Sequence, residues 1–465
     1  MTRTRRDVWS LSKVDVWEET LLWYAKAVRE MQTRPLDDPR SWRYQAAIHE
    51  FNGDGSPAEQ PADKDIYWDQ CQHHCWFFLP WHRWYLLYFE EVVAETVVAL
   101  GGPADWSLPY WNYSDTSNAD ARRLAPAFRE RQLPDGSPNP LRIEERTSGN
   151  GGGNVGSVGA IDLVCLEEPR YQADPPGGRA GFGGVKVKFN NHRGGTPGVV
   201  EQTPHGSMHG AVGGFMGAFD TAGLDPLFWL HHCNIDRLWE VWRQRDARHL
   251  DPVDPDWLDN LSFPFHDGTG AAVTKTVRGV VNTVAIGYEY EDVSDPLAAF
   301  EGVAPKEAPM AMQRIPEMVG ASEHPVQLGR APATTQVEMT APTGPAAPEA
   351  VSLDMEPPRI IVTLENVTGD GTPKNYSVYV NDVYAGLLPT FGVPEATHND
   401  KHSGSGLEYR FDVTDIVRLT QADPGNLRVT FIPEEQEPEE KPEGAPEAVE
   451  PAPNFQVGRV SVYLS

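Results

Sequence analysis

Asp225-Pro226-Leu227-Phe228-Trp229-Leu230-His231-His232-Cys233-Asn234-Ile235-Asp236 opens a segment in which apolar residues recur three and four apart as far as Trp242. That is the period of a helix with one buried face. Asp225 suits the cap, and Pro226 suits the first turn, where a missing N–H is no loss. Two adjacent histidines therefore sit on a helix otherwise built from large apolar side chains. Upstream, Glu201-Gln202-Thr203-Pro204-His205-Gly206-Ser207-Met208-His209 adds two histidines four apart. On a helix both rings project from one face and can hold one metal ion. His231 or His232 would complete a site of three imidazoles.

A second set lies further upstream. His49 is followed by Cys71-Gln72-His73-His74-Cys75-Trp76-Phe77-Phe78-Leu79-Pro80-Trp81-His82-Arg83. Helical periodicity returns at Trp17–Met31 and Trp81–Leu100. His49, His73 or His74, and His82 could supply a matching three-histidine site. A lone histidine is usually a hydrogen-bonded side chain and nothing more; six in two similar arrangements are not. Imidazole suits copper, zinc, iron and nickel, whereas the lack of clustered carboxylates disfavours magnesium, calcium and di-iron sites.

The rest of the chain sets these clusters in context. Its 465 residues exceed one ordinary core. Three zones are expected: a mainly α domain over 1–300, an Ala/Pro/Glu/Thr linker over 301–355, and a C-terminal β-sandwich over 356–465. The sandwich rests on five short runs rich in Val, Ile and Tyr: Arg359–Val367, Tyr376–Val380, Leu407–Val413, Leu427–Ile432 and Val457–Leu464. Glu434–Glu450 reads as an acidic loop. A formal charge of −28 argues against nucleic acid and anionic membranes as partners. No run approaches the length of a membrane span, no export signal is visible, and four cysteines are too few for a disulfide framework. A cytoplasmic protein is expected.

These motifs resemble the type 3 copper proteins: tyrosinases, catechol oxidases and hemocyanins. The segment from His73 to His82-Arg83 is similar to the family's copper A pattern. Asp225-Pro226-x-Phe228-Trp229-x-x-His232-x-x-x-Asp236 is similar to its copper B signature. The resemblance picks His73 over His74 and His232 over His231. It implies a four-helix bundle with long loops, holding two copper ions, Cu A (His49, His73, His82) and Cu B (His205, His209, His232), that bind O2 as peroxide. It runs from about residue 5 to the end, and its details resemble the plant polyphenol oxidases.

By that resemblance, Phe219 is a gate over Cu A, and Glu201 holds a water able to take a phenol's proton. Cys71 and His73 resemble a pair joined by a thioether in fungal tyrosinases. Asp256-Trp257-Leu258 and Tyr288-Glu289-Tyr290 resemble structural landmarks. The C-terminal domain resembles a lid that keeps the enzyme latent, which makes 301–355 the expected activation region for a protease. The implied activity is oxidation of o-diphenols by O2 to o-quinones, with hydroxylation of monophenols weaker or absent. Gly206 and Gly210 follow the first two Cu B histidines, where strong monophenol hydroxylases of the family often carry an asparagine after the first. An o-aminophenol oxidase, a hemocyanin-like oxygen carrier and a zinc hydrolase are the alternatives.

Overall fold

The structure, a computed structural model, describes residues 2–188, 195–297, 315–340, 358–398, 405–420, 425–435 and 453–465. Apolar periodicity in the first part of the chain folds as helices: α1 (Glu19–Thr33), α2 (Trp42–His49), α3 (Phe78–Ala99), α4 (Ser207–Val212) and α5 (Pro226–Arg245). α1 begins after Trp17 because the Glu18 carboxylate accepts from the Thr20 amide and caps it. α3 begins three residues before Trp81, which puts Pro80 in the first turn. α5 starts as expected. Asp225 accepts from the Leu227 amide, and the buried Arg146 guanidinium holds the same carboxylate at 2.7 and 2.8 Å.

α1 packs on α2 and α3, and α3 packs on α5. α3 is buried on nearly all sides, as an almost wholly apolar helix must be. One buried polar knot ties α3 to α5. Asp236 accepts from Arg83 and from the Tyr288 and Tyr290 hydroxyls, at 2.5, 2.6 and 2.5 Å. Arg5 joins through Glu90 at 2.6 Å. No helix among the described residues is long and apolar enough to cross a membrane.

The C-terminal third is the expected antiparallel β domain. Its strands are β1 (Glu317–Ala321), β2 (Val326–Leu328), β3 (Ala333–Met339), β4 (Ile360–Asp370), β5 (Asn375–Val380), β6 (Val383–Pro389), β7 (Leu407–Asp412), β8 (Asn426–Pro433) and β9 (Asn454–Leu464). The spatial order is β6-β5-β8-β3-β1-β9-β4-β7, with β2 also on β9. The end strands β6 and β7 approach one another, so the sheet curls into a nearly closed barrel around an apolar core.

β1, β2 and β3 lie inside the stretch expected to be linker, and β1 and β3 are interior strands of the sheet. Each presents only one or two buried apolar residues (Val319; Val326 and Leu328; Val337), too short an alternation to stand out between prolines. Residues 301–314 and 341–355, and the acidic run beyond Glu435, lie outside the described residues.

Candidate metal centre

The histidines converge where α2, α3, α4 and α5 meet. His49 ends α2, His82 lies in the second turn of α3, and His232 lies in α5. His205 sits in a wide helical turn, Glu201–Gly206, that is extended at Thr203 and runs into α4, which carries His209. His73 stands in the loop before α3. His73 is 5.1 Å from His49 and 5.0 Å from His82, centroid to centroid. His205 is 4.7 Å from His209 and 5.0 Å from His232. The two sets face each other, His82 stacking on His232 at 4.6 Å.

Four of these rings are fixed by backbone carbonyls. Nδ1 of His49 meets Phe219 O at 2.9 Å, that of His82 meets Phe78 O at 2.8 Å, that of His205 meets Glu201 O at 3.1 Å, and that of His209 meets Met216 O at 2.7 Å. A carbonyl only accepts, so Nδ1 carries the proton and Nε2 keeps its lone pair, the arrangement of a metal-bound imidazole. Nε2 of His49 and of His205 is buried without a hydrogen-bond partner, and Nε2 of His209 and His232 are 3.2 Å apart. Burial holds His49 down to about 4 and His73, His205, His209 and His232 well below the usual histidine value. Such rings stay neutral, and a soft or borderline metal meets no competing proton. The donor set fits two copper ions.

The neighbouring pairs divide differently. His74 has a left-handed backbone (φ 57°), and its amide serves the site, donating to Glu201 Oε1 at 2.7 Å. His231 stays close: its ring nitrogen lies within 4.8 Å of those of His205, His209 and His232. Geometry alone therefore groups four histidines on the Cu B side. Cys71, fully buried, offers Sγ within the same limit of His49 and His73. Glu201 is buried, burial raises its carboxyl well above the usual range, and its Oε2 has no hydrogen-bond partner.

Two phenylalanines cover the histidines. Phe219 lies on His73 at 4.3 Å, its plane tilted by 21°. Phe391 comes from the C-terminal domain, in the turn between β6 and α6 (Val393–His398), and stacks on His209 at 4.0 Å and 4°. The sequence offers no sign of this, because Phe391 is a single aromatic residue in a loop.

Three family models match the chain. The common central domain of tyrosinase covers residues 39–159 and 184–245, the polyphenol oxidase middle domain covers 251–300, and a domain of unknown function covers 315–465. Tyrosinase HcTyr1 of Hahella sp. is 34% identical over 94% of this chain and 96% of its own length. A chloroplastic polyphenol oxidase of Malus domestica is 26% identical over 88% of this chain and 72% of its own. Among solved structures, a latent aurone synthase superposes with a TM-score of 0.64 at 23% identity, covering 100% of this chain and 89% of that one. Latent apple tyrosinase gives 0.59 at 22%, covering 100% and 97%. The paired histidine sets and this end-to-end likeness place the chain in the tyrosinase and polyphenol oxidase family of type 3 copper oxidoreductases.

Proposed function

We propose that the protein is a latent polyphenol oxidase that oxidises o-diphenols to o-quinones with O2, and hydroxylates monophenols weakly. His49, His73 and His82 would hold one copper ion, and His205, His209 and His232 the other. Copper, when bound, supplies the redox couple between phenol and dioxygen. Everything else is done by the chain. Carbonyls of Phe219, Phe78, Glu201 and Met216 keep four ligand rings turned inward. Glu201, anchored through Oε1 by the His74 amide, has Oε2 free to hold a water that takes the phenol's proton. Phe219 lines the approach on the His73 side. Gly206 and Gly210 present no side chain to orient that water or touch substrate, which favours catechols.

The observation that carries latency is Phe391 on His209, in the space an incoming ring needs. A protease that frees the lid whole must cut before Glu317, because β1 and β3 are interior strands of the lid's own sheet; the domain boundary is therefore proposed near 315 rather than 356. A thioether between Cys71 and His73 belongs to the same reading. It removes one hydrogen from Sγ and one from the ring, with dioxygen as oxidant, and shows as a two-hydrogen mass loss in the joined peptide. Action in a reducing compartment is also proposed, supported by the buried thiols of Cys75, Cys165 and Cys233.

Oxygen uptake with a catechol, before and after limited proteolysis of protein carrying two coppers, tests the whole. Uptake should appear on lid removal and be slower with tyrosine. A lid-free, copper-loaded protein that consumes no oxygen would sink the reading. Rapid tyrosine turnover without a priming diphenol would overturn the substrate preference alone.

A further inference from the structure

The backbone angles of Gly206 and Gly210 do not require glycine. Gly206 has φ −62° and ψ −33°, Gly210 lies inside α4, and neither is left-handed. Glycine weakens a helix, so two of them within five residues call for a cause outside the helix. At Gly210 the lid supplies it, and at Gly206 the lid shares it with the turn's own Glu201 carbonyl. A Cβ on Gly206 would lie 3.3 and 3.5 Å from Cγ and Cβ of Pro389, and 3.3 Å from Glu201 O. A Cβ on Gly210 would lie 3.2 Å from Asn375 Oδ1. Pro389 and Asn375 are partners on β6 and β5. One rung of the lid's sheet thus rests across both glycines.

Two side-chain hydrogen bonds, one from each domain, hold the approach. Asn375 Nδ2 donates to Ser207 O at 2.9 Å, and Gln202 Nε2 donates to Leu387 O at 2.8 Å. Nearby, Gly159 lies under Tyr384 of β6, whose Oη is 2.6 Å from where a Cβ would be. Phe391 follows Pro389 by two residues, so this rung also sets the height at which Phe391 meets His209.

We propose that Gly206 and Gly210 are the seat of the lid, and that latency fixes the missing side chains beside the Cu B histidines. A side chain at 206 long enough to orient a water or a substrate would occupy the space of Pro389. Gaining one therefore works against keeping the lid closed. The consequence for substrate rests on the phenol-oxidase reading; the seating does not.

Hydrogen exchange of the full-length, copper-loaded chain tests it. Gly206→Asn should speed exchange of the Asn375–Pro389 amides at least ~10-fold while α3 and α5 stay protected, since exchange follows the open population. Gly206→Ala should do less. Adding Pro389→Gly to Gly206→Asn should return most of the protection. Wild-type protection of Asn375–Pro389 in Gly206→Asn, or no recovery in the double variant, overturns the proposal. Should Gly206→Asn also unprotect α5, Asn375→Gln decides instead. It crowds Gly210 from the lid side by one methylene, and unchanged exchange there overturns the proposal equally. A lid loosened in this way over a copper-loaded site that oxidises no catechol would count against the phenol-oxidase reading and leave the seating intact.

Discussion

Phe219 and Phe391 do similar things to the two halves of the histidine cluster, yet they belong to different parts of the chain. Phe219 lies on His73, and its own carbonyl holds His49 in place. Phe391 lies on His209 and has come from a domain whose first strand, at Glu317, begins about 85 residues after His232, the last of the six histidines. The cover on the Cu A side is built into the ligand scaffold and cannot leave without disturbing it. In the proposed activation, the cover on the His209 side would leave with the lid. The two rings meet edge to face at 4.7 Å, so the closed state is a continuous aromatic ceiling of which half is removable.

The sharpest way to break this comparison is to remove each ring in turn. Phe391→Ala deletes a buried aromatic from the closed state alone, worth about 3 kcal/mol, or ~100-fold in the open population. Catechol turnover by uncut protein should rise by up to that factor. Phe219→Ala should leave latency in place and lower copper retention instead, read by metal analysis after dialysis against a chelator. Equal activation by both variants would show that the two covers are equivalent.

Arg410 tests what holds the removable half down. On β7, its Nη1 lies 3.0–3.3 Å from the carbonyls of Asp174, Pro175, Gly178 and Arg179, a loop of the catalytic domain. Its Nε pairs with Glu408 at 2.7 Å, which in turn accepts from Thr196 at 3.1 Å. Hydrogen bonds from a charged donor contribute about 1.5–3 kcal/mol. Arg410→Ala should open the lid ~10-fold, less than loss of Phe391, and Arg410→Lys should fall between. Turnover of uncut protein measures both. No activation by Arg410→Ala would show that the plug holds without its latch.

How much of this was legible in the sequence follows the same division. Histidine spacing, the Asp225-Pro226 start and the cap of α5 are local signals, and the helices formed where they pointed. The lid's long strands β4 and β9 show themselves by Val, Ile and Tyr. Its interior strands β1 and β3, its edge strand β6 and its contacts do not. Arg410 reads as an ordinary polar residue of an alternating strand, and only the folded loop 174–179 gives its charge a purpose. Pro389 and Phe391 gain theirs from a surface nearly two hundred residues away in the chain. Domain docking is written in residues whose partners are distant, and no periodicity records it.

The smallest expected effect concerns pH, and it separates the two halves by chemistry. Glu395, on α6, accepts from the Phe219 amide of the catalytic domain, and burial, with Asp220 nearby, pushes its carboxyl up to about 7. Its Oε2 is covered and unpartnered although the residue as a whole is only half-buried, so part of the cost is relieved by solvent. A carboxyl whose docked value is raised binds its proton more tightly when docked. Docking is therefore at full strength below the free carboxyl's value near ~4.5. It weakens as pH climbs to about 7 and changes no further above that. Uncut protein should become a few-fold more active toward catechol between those limits, after correction for the profile of lid-free enzyme. Glu395→Gln, neutral throughout, should abolish that rise while leaving the lid-free profile untouched. A rise that survives in Glu395→Gln would move the pH dependence from the lid to the histidine side of the interface.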